Sequence, residues 1–262
     1  MDLVKTLRRR IGAGHTALGT FVVELRTPTV ARFLQQGGFD FMLIDTEHGQ
    51  FDASEVSAHI RAGKRWGVCP LVRVSGPERG EIMRALDDGA EGIMVPMCDS
   101  ADDAERAVEF SKYPPLGQRG AHFARPHTEF APPDDLGAYM ERANRELLTI
   151  VQIETSAAVE RVDEIAAVAG VDMLYMGPGD LSVALGAPGQ VTHPQVLAAA
   201  AEIGKACQKH GKIAGSHFTH PEALPELHKR GVRFVGFGAV VRMVQQSVIN
   251  AGAAARKALE SS

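Results

Sequence analysis

The chain has 262 residues, a formal net charge of −4, and 45% hydrophobic against 23% charged side chains. That balance belongs to a globular protein with a sizeable core, so disorder is excluded and folding needs neither disulfides nor a structural metal. No basic excess invites nucleic acid, and no uncharged apolar run is long enough to cross a bilayer.

In chain order, residues 1–11 mix apolar side chains with Asp2, Lys5 and Arg8-Arg9-Arg10. This segment lacks the apolar stretch of an export signal, and its arginines read as a solvated helix face. Eight strand-like segments follow, at residues 17–23, 39–46, 69–74, 92–97, 148–155, 173–177, 213–218 and 234–240. Helical patterns lie between them at 53–65, 77–88, 101–111, 157–168, 194–210 and 221–230. Several strands begin shortly after a glycine: Gly37-Gly38, Gly89, Gly170 and Gly231. Glycine suits the left-handed residue past a helix end, where a Cβ would clash. Pro77, Pro194 and Pro221 stand where first-turn prolines are tolerated.

Strands as uniformly apolar as Phe41-Met42-Leu43-Ile44 are buried on both faces, so the sheet is parallel and covered by helices. Eight strand–helix units predict a closed (β/α)8 TIM barrel forming one domain over residues 1–262, with an open doubly wound sheet as the alternative. The proline- and glycine-broken stretch 113–135 is expected to pass over one mouth of the barrel. Residues 240–259 read as a last helix, with Met243, Val244, Val248 and Ile249 for burial.

Polar residues collect where the strands end. The second ends on Asp45-Thr46-Glu47-His48, the third near Arg73, and the fifth on Gln152-Ile153-Glu154. The sixth runs into Gly177-Pro178-Gly179-Asp180, and the seventh ends near Ser216-His217. In a parallel barrel this mouth holds the active site. Alternation puts Gln152 and Glu154 on one face of their strand, and Asp45 and Glu47 on one face of theirs. Charges in otherwise apolar strands are costly unless they face a solvated mouth.

The residue types restrict the chemistry. Glu154 and Asp180 are oxygen ligands that, with waters and a chelating substrate, suit a hard octahedral ion such as Mg²⁺ or Mn²⁺. His48 is a candidate general base, and Arg73 a candidate grip on a carbonyl or carboxylate oxygen. No lysine falls at a strand's C-terminal end, which closes a Schiff-base route. Ser216-His217 lacks the third partner of a hydrolase triad. Gly236-Phe237-Gly238 is either the start of a phosphate site or a close-packed stretch of strand. The three cysteines, Cys69, Cys98 and Cys207, are few and widely spaced, as in a reducing compartment, and a cytoplasmic location is expected.

The chain resembles the HpcH/HpaI aldolases, the metal-dependent (class II) pyruvate aldolases. The likeness is carried, in order, by Leu43-Ile44-Asp45-Thr46-Glu47-His48, Val95-Pro96-Met97 and Tyr113-Pro114-Pro115-Leu116-Gly117-Gln118-Arg119-Gly120. It continues in Val151-Gln152-Ile153-Glu154-Thr155 and Gly177-Pro178-Gly179-Asp180-Leu181-Ser182. The resemblance implies a divalent metal ion (Mg²⁺, Mn²⁺ or Co²⁺) on Glu154 and Asp180, with Gln152 beside the metal and its water. It implies Arg73 on the pyruvyl carbonyl oxygen and His48 as catalytic base, supported by Asp45. Backbone amides at Gly179 and Asp180 are then expected to hold the donor carboxylate.

The same resemblance implies a homo-hexamer of paired trimers in which the last helix is exchanged between neighbours. Asp87 would then reach an adjacent subunit's site. The implied reaction splits a 4-hydroxy-2-oxo acid, of the 2-keto-3-deoxy sugar acid type, into pyruvate or an analogue such as hydroxypyruvate, and an aldehyde. Two alternatives keep the site: oxaloacetate-type decarboxylation through the same enolate, and a non-catalytic barrel that binds sugar acids. Two segments depart from the family pattern, Ala121-His122-Phe123-Ala124-Arg125-Pro126-His127 and the first-strand segment Gly19-Thr20-Phe21-Val22-Val23-Glu24-Leu25, which carries the acidic Glu24. Both are expected to border the acceptor pocket.

Overall fold

The apolar runs form parallel strands that pair in chain order and close on themselves, β8 returning beside β1. The computed structural model describes residues 3–260. Its strands are β1 (Ala17–Val22), β2 (Phe41–Asp45), β3 (Cys69–Arg73), β4 (Gly92–Val95), β5 (Leu148–Ile153), β6 (Met173–Met176), β7 (Ile213–Phe218) and β8 (Val232–Ala239). The first helices are α1 (Leu3–Gly12), α2 (Val30–Gln36), α3 (Ala53–Trp66), α4 (Arg79–Asp87), α5 (Ala101–Ser111) and α6 (Leu136–Glu146). The remainder are α7 (Ser156–Glu160), α8 (Val162–Ala167), α9 (Pro178–Ala184), α10 (Pro194–His210), α11 (Leu224–Lys229) and α12 (Val240–Glu260). The barrel is closed, which rules out the open sheet.

Two apolar layers account for strands that are apolar throughout. Outward residues such as Met42, Ile44, Val72 and Leu174 pack with helix residues including Val56, Ile60, Ile82 and Ile203. Inward residues, among them Phe41, Leu43, Leu71, Ile150, Tyr175 and Phe234, fill the barrel. Phe41 and Phe234 stack with ring centroids 3.7 Å apart. Truncating a buried Leu or Ile to Ala in such an interior costs about 2–5 kcal/mol. Local signals end the helices as their sequences suggest. Asp52 and Glu55 form a reciprocal capping box at the start of α3. Gly89 and Gly170, with φ of 95° and 93°, turn the chain from helix to strand.

The structure departs from the sequence reading in several places. Pro77 lies before α4 rather than in its first turn, since that helix begins at Arg79. Segment 157–168 is two helices separated at Arg161, whose φ of −103° and ψ of 12° leave the helical region. Pro221 opens a 3₁₀ turn, Pro221–Ala223, ahead of α11. Helices α2 and α9, seven residues each, are too short for a periodic signal. Arg8 is not simply solvated, because it pairs with Asp172 at 2.6 Å.

Stretch 113–135 lies at the barrel's N-terminal end and does not cross the mouth formed by the strands' C-terminal ends. Arg119 Nη2 lies 3.4 Å from Asp87 Oδ1, Arg125 Nη2 donates to Asp88 Oδ1 at 3.1 Å, and His127 Nδ1 lies 3.3 Å from the Asp87 carbonyl oxygen. Asp87 and Asp88 close α4 just before β4, at the barrel's N-terminal rim. Rings of Tyr113, Phe123, His127 and Tyr139 pack together there and anchor the segment. The segment carrying His122 and Arg125 therefore lies away from this barrel's mouth. Helix α12 leaves the barrel after Val240, and Val244, Val248 and Ile249 are exposed rather than buried within the protomer. Among the described residues, no helix is long and apolar enough to cross a membrane.

Candidate active site

Strand register brings Asp45 of β2 opposite Arg73 of β3. The pair closes in a two-pronged bridge, Nε donating to Oδ1 at 3.0 Å and Nη2 to Oδ2 at 2.7 Å. Asp45 Oδ1 also accepts from the amides of Glu47 and His48, at 3.1 and 3.3 Å. One buried carboxylate thus fixes both the guanidinium and the turn that carries His48. Its support of His48 runs through the backbone, and the imidazole itself is exposed at the rim. Arg73 Nη1 lies 3.0 Å from Glu47 Oε2, and its guanidinium sits 4.7 Å over the Phe21 ring. Burial disfavours the Arg73 charge, but bonding and attraction from Asp45, then Glu47 and Glu154, outweigh it and hold the pKa above the ordinary arginine value.

Glu154 follows β5 and is buried. Its Oε1 accepts from the Met97 amide at 2.8 Å, and its Oε2 accepts from Gln152 Nε2. Met97 reaches this position with a φ of 51°, a left-handed conformation that non-glycine residues rarely adopt and that concentrates at functional sites. Gly177 is required beside it, because a Cβ there would stand 2.5 Å from Glu154 Oε2. Burial pushes the Glu154 carboxyl up; the Met97 bond opposes this, and the charges of Asp180 and Glu47 add to it. Glu47 is also raised, chiefly by burial, against the pull of Arg73 and His48.

Asp180 is exposed in the first turn of α9. The amides of Gly179 and Asp180 stand at that helix's N-terminus, where N–H groups have no acceptor within the helix. Glu47, Glu154 and Asp180 therefore feel one another's charge around a single arginine already committed to Asp45. Gln152 Oε1 is buried without a hydrogen-bond partner. This set of hard oxygens with surplus negative charge fits a divalent cation. Among the described residues there is no group of three or more His, Cys, Asp or Glu that could hold a metal ion.

Other sequence candidates fall elsewhere. Asp87 is buried at the N-terminal rim between Arg119 and His127, and this protomer does not bring it to His48. Lys112 and Lys212 bond to backbone carbonyls at that same rim. Ser216 donates to the Met176 carbonyl at 3.2 Å, and so forms no triad. A Cβ on Gly236 would strike the Tyr175 hydroxyl, so close packing accounts for that glycine. Glu24 is exposed just beyond β1 with a φ of 64°.

Sequence reasoning missed the Met97 amide and the place of His217. His217 meets Phe21 edge-on at 5.2 Å, and burial, then the charge of Arg73, depresses its pKa to about 4. The available signal was its parity with Gly215 along β7, which marks an inward position.

The chain belongs to the HpcH/HpaI aldolase/citrate lyase family, whose sequence model matches residues 18–247. It is 33% identical over 242 residues to a hydroxypyruvate/pyruvate aldolase of Sagittula stellata, covering 92% of this chain and 91% of that protein. It is 35% identical over 227 residues to a 2-dehydro-3,6-dideoxy-6-sulfogluconate aldolase of Pseudomonas putida, covering 87% and 88%. An HpcH/HpaI aldolase from Desulfitobacterium hafniense superposes with a TM-score of 0.90 at 31% identity, over 95% of this chain and 96% of that one. The protein is an aldolase-type lyase.

Proposed function

We propose that the enzyme cleaves a 4-hydroxy-2-oxo acid of the 2-keto-3-deoxy sugar acid type to an aldehyde and pyruvate or hydroxypyruvate. Glu154 and Asp180 hold a divalent ion (Mg²⁺, Mn²⁺ or Co²⁺). The observation that carries this reading is buried Glu154, clamped by Met97 and Gln152 where carboxylates outnumber the available cation. When bound, the ion supplies Lewis acidity to the 2-oxo group. Arg73, held rigid by Asp45, meets the same oxygen and stabilises the charge that develops as the enolate forms. The amides of Gly179 and Asp180 receive the donor carboxylate, and Gln152 orients Glu154. As the C3–C4 bond breaks, His48 takes the C4 hydroxyl proton and then returns it to C3 of the enolate, so the same imidazole moves the C3 proton when the donor enolises alone.

Assembly into a homo-hexamer of paired trimers, with α12 exchanged between subunits, is supported by the exposed Val244, Val248, Ile249 and Leu259. Arg119 Nε and His127 Nε2, buried without partners near Asp87, support a role for that patch in an adjacent subunit's site. The substrates are small molecules, and the expected compartment is the cytoplasm.

The test is a panel of 2-oxo acids assayed for aldehyde and CO₂ release, before and after chelation. Aldehyde release should vanish with EDTA and return with Mg²⁺, Mn²⁺ or Co²⁺. Full turnover after exhaustive chelation would overturn the metal assignment, and CO₂ release in place of aldehyde would overturn the aldolase reaction.

A further inference from the structure

His217 lies in the mouth but has no part in the steps above. It shares a face of β7 with Gly215, whose missing Cβ makes room for the inward ring of Tyr175, so His217 also looks into the barrel. Its ring lies edge-on to Phe21 at 5.2 Å, and the same Phe21 ring carries the Arg73 guanidinium at 4.7 Å. Imidazole and guanidinium therefore flank one aromatic ring. His217 Nδ1 is buried without a hydrogen-bond partner. Leaving such an atom unsatisfied is costly enough that native proteins rarely do so without a purpose.

The depressed pKa keeps the ring neutral at ordinary pH; one ring nitrogen bonds the Gly236 backbone, which leaves Nδ1 as an uncharged acceptor. A carboxylate or phosphate is matched better by Arg73. A hydroxyl, which can donate its proton, is matched by the unpartnered Nδ1. Depth shows which half of the substrate carries that hydroxyl. His48 and Asp180 are exposed at the rim, where an aldehyde enters. Phe21 and Arg73 are only 6% and 7% exposed and lie at the floor. A donor gripped by Arg73 at its 2-oxo oxygen has C3 one bond from the gripped carbon.

The geometry points to His217 as a donor-specificity residue that hydrogen-bonds a hydroxyl on C3, so that 3-hydroxy-2-oxo acids, of which hydroxypyruvate is the smallest, are the preferred donors. This rests on the aldolase reading of the same site. The experiment follows exchange of donor C3 protons into D₂O by NMR, using metal-loaded enzyme and no aldehyde. The readout is the ratio of kcat/KM for hydroxypyruvate to that for pyruvate. The parent should favour hydroxypyruvate, and His217→Leu should lower the ratio about 10- to 100-fold, the worth of one buried hydrogen bond. His217→Asn, which keeps a hydrogen-bonding atom near the Nδ1 position, should recover most of it. An unchanged ratio in His217→Leu would overturn the role of His217 and leave the aldolase reading intact. A His217→Asn ratio as low as that of His217→Leu would assign the effect to shape and overturn it too. Exchange of neither donor by the parent would instead overturn the aldolase reading.

Discussion

The mouth of the barrel and the Lys112–Asp172 cluster at its foot treat buried charge in opposite ways. At the foot, Lys112 is enclosed and donates to Asp172 at 2.8 Å and to the carbonyls of Asn144 and Leu147 at 3.0 and 2.6 Å. Asp172 also accepts from Arg8 at 2.6 Å and from the Thr149 amide at 2.8 Å. All three Lys112 protons have acceptors, and the cluster ties β5 and β6 to the loops below. At the mouth, carboxylates outnumber the arginine, and Gln152, Tyr175 and His217 keep unpaired polar atoms. Lys112 and Asp172 have nothing left to offer a ligand, although Arg8 Nε beside them is buried without a partner, so the work of that pair is structural. The unsaturated mouth is the less stable arrangement, and such costs persist where a bound partner offsets them.

Removing carboxylates should affect the two regions in opposite ways. Glu154→Ala or Asp180→Ala should abolish turnover while the metal-free protein melts no lower than the parent, since burial already disfavours the Glu154 charge. Activity within tenfold of the parent would contradict the assignment. His48→Ala should slow donor C3 exchange about 10²- to 10⁴-fold. Its unfolding midpoint should be unchanged, because the ring is exposed. Parental exchange would move His48 out of enolisation.

At the foot the pattern reverses. Asp172→Ala leaves the Lys112 ammonium buried and unpaired, which costs about 3–5 kcal/mol in urea unfolding. The fraction that stays folded should keep kcat close to the parental value. A loss of kcat without a loss of stability would erase the distinction between the two regions.

The smallest effect concerns pH. Burial, then the charge of Arg73, depresses the His217 pKa to about 4 from an ordinary 6.5. Above 6.5 neither the folded nor the unfolded chain protonates it. Between 6.5 and 4 the unfolded chain binds the proton and the folded chain does not, so stability is lost as pH falls, by roughly 3 kcal/mol over the full window. His217→Leu should lack this component. Parallel stability curves for parent and variant across that window would show that the imidazole is not held neutral.

The barrel was legible in the sequence because a parallel strand must bury both faces, so composition alone reports it. Glycines such as Gly89 and Gly170 marked helix-to-strand turns by the same local logic. Glu154, Asp180, His48 and Arg73 stood out because charge appears only where an apolar strand reaches solvent. Local periodicity carries no information on how distant segments meet, and that is where the sequence reading stopped. The grip of Asp45 on Arg73 depends on the register between β2 and β3. The Met97 amide faces Glu154 only because the chain after β4 turns through a left-handed residue. Stretch 113–135 docks against the foot of α4 through rings and arginines whose partners lie far away in the chain. His217 and Arg73 meet across Phe21 because the closed barrel brings β7, β1 and β3 around one interior, an arrangement set by closure and register and visible only in three dimensions.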